Sequence, residues 1–196
     1  MNIFYLDKDP ILAAEMSCDK HVCKMIIESA QMLSTSHRII DGTEYYGKTA
    51  NGRKIKRWKH PDKNLEAFLY LASHIKHPST QWVMYNLQNY VWLYRHMIAL
   101  NNEFKKRYNK QQDHLTIQKL GKILADAPKK LPVRDSKEPT PAMPDECKVP
   151  GDSVASYRKY YIMKKRHFAT WKSPSVMPDW YKKAINDETL PISETK

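Results

Sequence analysis

Apolar residues recur at helical spacing through most of this chain. Val22, Ile26, Ala30 and Leu33 follow one another at steps of three and four, which gives one apolar face to a helix. That helix is predicted from Asp19, as its cap, to about Ile40, where Asp41-Gly42 stops it. A shorter one starts at Asp9-Pro10, with Asp as N-cap and Pro in the first turn, and reaches about Cys18. Ahead of it Ile3-Phe4-Tyr5-Leu6 forms a strand-like apolar run. Asp62 caps a helix through Leu65, Phe68, Leu69 and Leu71 that ends near His77-Pro78. Pro78 then opens the longest helix, to about Arg107. Trp82, Tyr85, Tyr90, Trp92, Leu93, Met97 and Leu100 give it several apolar faces, which favours a central packed helix over a base-stacking platform. Asp113 begins an amphipathic helix with Leu115, Ile117, Leu120 and Leu124, and Asp152 caps a last long one with Tyr157, Tyr160, Tyr161 and Phe168.

Two segments break this periodicity. Residues 43–60 read as a loop with a hairpin turning at Asn51-Gly52. Between Ala127 and Pro150 stand Pro128, Pro132, Pro139, Pro141, Pro144 and Pro150, a density that leaves no regular element. The aromatic segment Met177–Lys183 docks before a polar tail that should fray. The expectation is an all-α, compact single-domain helical bundle over residues 1–196, with one small β-hairpin insertion (43–60) and a long Pro-rich loop (127–151). Only five glycines, too few for many tight turns, agree with it.

The helix from Asp19 also carries a polar stripe: His21, Lys24, Glu28, Gln31, Thr35 and Arg38 share one face. A solvated face is usually filled with Lys and Glu. Single copies of His, Lys, Glu, Gln, Thr and Arg suit the wall of a polar site, although a plain exposed face satisfies the same spacing.

Charge narrows the partner. A net charge of +12 favours an anionic one: nucleic acid, a phosphorylated small molecule or an acidic membrane. The membrane is the weakest of these, because no run of about 18 apolar residues occurs and the N-terminus lacks a signal peptide's blocks. A cytoplasmic protein is expected. Cys18, Cys23 and Cys147 fit a reducing compartment. Cys18, His21 and Cys23 lack a second ligand pair, so neither a metal nor a cofactor is expected. Arg53, Lys54, Lys56 and Arg57 surround Trp58, combining cations for phosphate with an aromatic plane for a base. A lysine-rich edge strand is the alternative. No P-loop, dinucleotide fingerprint, His-Glu-x-x-His or Gly-x-Ser-x-Gly occurs, which lowers the hydrolase and oxidoreductase readings that use them.

Three stretches, in order, resemble the phage pyrimidine-dimer DNA glycosylases of the endonuclease V type and their bacterial homologues. They are Asp19-x-His21-Val22 with Glu28 seven residues after the His, His77-Pro78 through Trp82, Tyr90 and Leu93 to Phe104-Lys105-Lys106-Arg107-Tyr108-Asn109, and Pro178-Asp179-Trp180-Tyr181-Lys182. The resemblance implies a compact helical fold. It also implies excision of a damaged or modified pyrimidine by an N-terminal α-amine, which attacks the sugar C1′, forms a Schiff base and nicks the strand by β-elimination. An α-amine ordinarily titrates at about 7.7–8.0, so a useful fraction is neutral near pH 7. Alignment through Ile3 puts the amine of Met1 in that position, and a bulky Asn2 favours retention of Met1. Glu28 corresponds to the assisting carboxylate, with His21 beside it; an ordinary i,i+4 pair with Lys24 is the alternative role. Ile27 and Gln31 stand where the family has arginines, so phosphate contacts fall to Lys24 and Arg38, to Arg53, Lys54, Lys56, Arg57 and Trp58, and to Lys105, Lys106 and Arg107. The expected partner is damaged or modified double-stranded DNA, met by a protein that could be monomeric. The competing readings are a non-catalytic nucleic-acid- or nucleotide-binding phage protein on the same scaffold, and an enzyme that uses His21 and Glu28 without the amine.

Overall fold

Most of the described helices begin where a side chain caps them. In the computed structural model, which describes residues 1–186, Asp9 accepts the amides of Ile11 (2.7 Å) and Leu12 (3.2 Å) and opens α1 (Pro10–Met16). Asp62 does the same for α3 (Lys63–Phe68), and Asp152 for α7 (Ser153–Lys164). Between them run α2 (Asp19–Ile40), the antiparallel pair β1 (Thr43–Lys48) and β2 (Lys54–Lys59), α4 (Pro78–Val83), α5 (Leu87–Tyr108) and α6 (Leu115–Leu120). The last described helix is α8 (Asp179–Asn186). The fold is mostly helical with a two-stranded hairpin, and the expected fraying of the polar tail lies outside the described residues.

Six expectations need correction. The helix that Asp152 caps stops at Lys164, so Phe168 lies beyond it, and the helix carrying Ile117 stops at Leu120, with Leu124 in a separate 3-10 turn (Ile123–Ala125). Residues 3–6 are buried but form no strand: the Asn2 carboxamide oxygen accepts the amides of Ile3 (2.8 Å) and Phe4 (3.3 Å), and Leu6 N–H closes onto Phe4 C=O at 2.7 Å. The helix opened by Asp62 stops at Phe68. The long helix from Pro78 is two, because the first run stops at Val83 and the Asn86 side chain caps the Asn89 amide (2.8 Å) to start α5. Asp19 and Asp113 are not caps. Cys18 precedes α2, and His114 Nδ1 accepts the Thr116 amide (3.2 Å) at the start of α6. Asp19 bonds the Lys172 amide (3.0 Å) and the Thr170 hydroxyl (3.0 Å), while Asp113 pairs with Asn101 and Lys105.

The core lies between α2 and α5, with α1 on α5 and α4 and α6 on α2. Val22, Ile26 and Leu33 meet Leu93, Met97 and Leu100 there, as their spacing predicts. Trp82 and Tyr90 are buried within it. The Pro-rich segment holds only a 3-10 turn (Asp145–Cys147) and runs as a belt. Its Pro132 carbonyl accepts from Leu87 N–H (3.0 Å) and its Ala142 carbonyl from the Asn2 side chain (3.0 Å). The belt thereby ties the start of α5 to the first residues of the chain.

The far end of the polar stripe is structural. Arg38 is 2% exposed, and its guanidinium donates to Glu66 Oε2 (2.6 Å) and to the carbonyls of Tyr70 (2.7 Å), Trp58 (2.9 Å), Leu69 (2.9 Å) and Glu66 (3.2 Å). It is therefore not a phosphate contact. It pins β2, α3 and the segment after α3 to α2. Arg38→Ala would orphan those acceptors, and a loss of about 3 kcal/mol is expected from breaking such a buried pair. Urea unfolding followed by circular dichroism checks this; a loss under about 1 kcal/mol, the range of a solvated surface pair, would refute the role.

Candidate functional site

The near end of the stripe forms a cavity. Met1, Asn2, Phe4, His21, Lys24 and Glu28 line about 240 Å³ together with Lys20, Tyr160, Lys165 and Phe168. Helical spacing brings His21, Lys24 and Glu28 to one side of α2, and the N-terminal residues cross in front of them. Asn2 fixes that crossing. Its side chain holds the amides of Ile3 and Phe4 and the carbonyl of Ala142, and its backbone N–H donates to Glu28 Oε2 at 2.9 Å. The Met1 side chain is 2% exposed, with the Thr80 hydroxyl 3.6 Å from its sulfur. Burial of the thioether anchors the residue and leaves its α-amine 3.6 Å from Glu28 Oε2. Lys24 Nζ lies 3.4 Å from the other carboxylate oxygen. Glu28 therefore takes part in the i,i+4 pair and faces the amine as well.

His21 belongs to the wall. Its ring stacks on Phe4 with centroids 4.0 Å apart, and its Nδ1 lies 2.5 Å from the Tyr161 hydroxyl. Burial, reinforced by Lys165, Lys24 and Lys20, pushes its pKa down to about 3. The ring is neutral at pH 7, so it can orient a group but supplies no imidazolium proton.

Cations and rings surround the opening. Lys20 lies over the Phe168 ring at 4.6 Å and Lys165 over Tyr160 at 4.4 Å. Their positive charge suits an anion, and the rings offer planar apolar faces. Sequence reasoning missed Lys20 and Lys165 and placed Tyr160 and Phe168 only on an apolar helix side. Lys165 and Phe168 follow the end of α7 at Lys164, so helical spacing carries no signal that places them at the cavity.

The remaining predicted residues lie elsewhere. The hairpin carrying Arg53, Lys54, Lys56, Arg57 and Trp58 follows the opposite end of α2, and does not line the cavity; Glu28 and Ile40 are separated by about 18 Å of helix. Arg53, Lys54 and Lys56 are exposed, while Arg57 and Trp58 are half-buried. Lys56 pairs with Glu44 at 2.9 Å, and Lys54 lies over Tyr46 at 4.1 Å. At the end of α5, Lys105 pairs with Asp113 (2.9 Å) and Lys106 with Glu103 (3.4 Å). Arg107 is buried. It donates to Glu103, to Asp19 and to the carbonyls of Ser17 and Glu15. Like Arg38 it is a structural cation, not a phosphate ligand.

Among the described residues no helix is long and apolar enough to cross a membrane. Compared with family models, with curated proteins and with solved structures, the chain matches none of them.

Proposed function

We propose that this cavity is the active site of a DNA glycosylase with AP-lyase activity, which removes a damaged or modified pyrimidine through a Schiff base to the Met1 α-amine. The observation that carries the reading is the amine held 3.6 Å from a carboxylate inside a polar cavity, at the position where the motif resemblance expects nucleophile and assistant. An amine and a carboxylate are the two groups that this chemistry needs.

The steps balance with these residues. The neutral amine attacks C1′ as the bond from C1′ to the base breaks, and the leaving base takes its proton from water. Glu28 accepts a proton from the new ammonium group; the 3.6 Å separation is closed by a small approach or by one bridging water. Glu28 passes that proton to the sugar O4′, which opens the ring and leaves an iminium between the amine and C1′. The freed carboxylate removes a C2′ proton, which expels the 3′ phosphate and nicks the strand, and water then hydrolyses the remaining imine to the aldehyde and releases the Met1 amine. Asn2 N–H keeps Glu28 directed at the amine, and neutral His21 serves as a positioning residue. Lys20, Lys24 and Lys165 face the phosphates, while Tyr160 and Phe168 flank the base. The target nucleotide must leave the stack to enter, which is easiest at damaged pairs.

Borohydride trapping on an abasic-site duplex tests the mechanism, once the mass of the intact protein has established Met1 as a free N-terminus. The expected result is a reduced covalent adduct that maps to the Met1 peptide. No adduct, with duplex binding intact, would overturn the lyase and leave a nucleic-acid binder on the same cavity. An adduct on a lysine would move the nucleophile.

A further inference from the structure

A second site lies at the other end of α2 and is independent of the proposed reaction. We infer that His37 Nδ1, His60 Nε2 and a carboxylate oxygen of Asp41 form a binding site for a divalent metal ion of the zinc class. His37 stands in the last turn of α2, Asp41 directly follows that helix, and His60 directly follows β2. One potential ligand atom from each lies within 4.8 Å of the other two. The three residues line a cavity of about 660 Å³ with Leu65, Ile123 and Asp126.

The polar atoms argue for a ligand. His37 and His60 are 2% and 5% exposed, yet His37 Nδ1 and His60 Nε2 are buried without a hydrogen-bond partner. Buried polar atoms are rarely left so, and each has a free-energy cost unless something meets it. His37 has the arrangement usual for a metal-bound imidazole. Its Nε2 donates to the Asp126 carbonyl (3.1 Å), beside the Tyr90 hydroxyl (3.0 Å), which leaves Nδ1 with the lone pair. Asp41 is oriented by the amides of Lys129 (2.7 Å) and Lys130 (3.0 Å) and keeps further lone pairs.

Two imidazoles and one carboxylate are a donor set for zinc and similar borderline ions, not for magnesium or calcium. Binding draws the three atoms closer and moves the His60 proton from Nε2 to Nδ1. The bond that Nδ1 now accepts from the Asp62 amide (3.1 Å) is given up in exchange. The ion would clasp the end of α2, the end of the basic hairpin and the start of the Pro-rich belt. Its function is therefore to fix the hairpin on the helical body.

The test uses the full chain after removal of metals by chelation. Isothermal titration with Zn²⁺ is expected to give one site per chain. Co²⁺ is expected to give the visible bands of an ion bound by nitrogen and oxygen, and Mg²⁺ no heat. In NMR spectra the His37 and His60 ring protons should shift on Zn²⁺ addition to the unaltered protein, a readout that does not depend on any variant's folding. Asp41→Asn and His60→Gln should each weaken Zn²⁺ more than about tenfold. Absence of binding to the unaltered chain would overturn the site and leave a water between the two imidazoles. Unchanged affinity in Asp41→Asn, unshifted His37 and His60 protons, or a sulfur-to-cobalt charge-transfer band from Cys18, Cys23 or Cys147, would each overturn it too.

Discussion

Glutamine in place of Glu28 is expected to slow base excision and strand nicking by about 10²–10⁴-fold, the usual range for one group in acid–base catalysis. The substitution keeps the size of the side chain and an oxygen able to accept the Asn2 amide, so the crossing of the N-terminus in front of α2 should persist. What is lost is the ability to take a proton from the amine 3.6 Å away. The accompanying loss of the Lys24 pair is minor for stability, because that lysine side chain is 62% exposed and such pairs contribute about 0.3–0.5 kcal/mol. Single-turnover excision from a duplex carrying a damaged pyrimidine gives the rate, and circular dichroism confirms the fold. A rate within about twofold of the unaltered protein, well below the range for acid–base assistance, would exclude Glu28 from proton transfer. Acetylation of the N-terminus separates the alternatives: loss on acetylation implicates the amine, whereas loss with Glu28→Gln alone indicates an enzyme that uses the carboxylate without it.

Much of this site was legible, and the reason is local geometry. His21, Lys24 and Glu28 are related by steps of three and four within one helix, and a helix imposes their shared face whatever the rest of the fold does. Met1 and Glu28 could be joined only through the family resemblance, because nothing in helical periodicity brings residue 1 to residue 28. Lys20 and Lys165 meet across the cavity from 145 residues apart, a separation at which no spacing rule operates.

Arg38 and Arg107 show the opposite limit. Each is a cation in a polar stripe or a basic run, and sequence treats it alike whether it meets a phosphate or a carbonyl. The partners of Arg38 are mostly backbone carbonyls, at Trp58, Glu66, Leu69 and Tyr70. Every residue has a carbonyl, so composition does not mark them. The break at Asn86 was hidden in a similar way. Pro78–Arg107 keeps a helical pattern throughout, but the Asn86 side chain reaches the carbonyls of Arg134 and Asp135 in the belt, almost fifty residues on. His37, Asp41 and His60 escaped notice because two belong to α2 and its end while the third arrives only when the hairpin returns.

The same burial that shapes both ends of α2 should make the protein sensitive to acid. His21, His37 and His96 are 4%, 2% and 0% exposed, and burial lowers their pKa values to about 3, about 4 and about 3. Lysines add to the shift of His21, and His60 to that of His37. In the unfolded chain a histidine titrates near 6.5. Between the folded values and 6.5 the unfolded state therefore binds protons that the native state refuses. Stability then falls as the pH falls, with no cost from these groups above about pH 7. Well below pH 6.5 each contributes about 1.4 kcal/mol per pH unit, and the three together remove about 5 kcal/mol between pH 6.5 and 5, a large part of the 5–15 kcal/mol typical of a folded domain. Urea unfolding in the presence of a chelator, repeated from pH 7.5 to 5, is expected to show a steep loss that sets in below pH 6.5. His96 makes the cause separable, since it packs on Trp92 with neither ring nitrogen partnered and lies outside both sites. His96→Leu should flatten the slope by about 1.4 kcal/mol per pH unit and shift the acid midpoint downward. An unchanged slope would mean that His96 takes up its proton within the folded state, and that its burial is relieved by local opening before the chain unfolds.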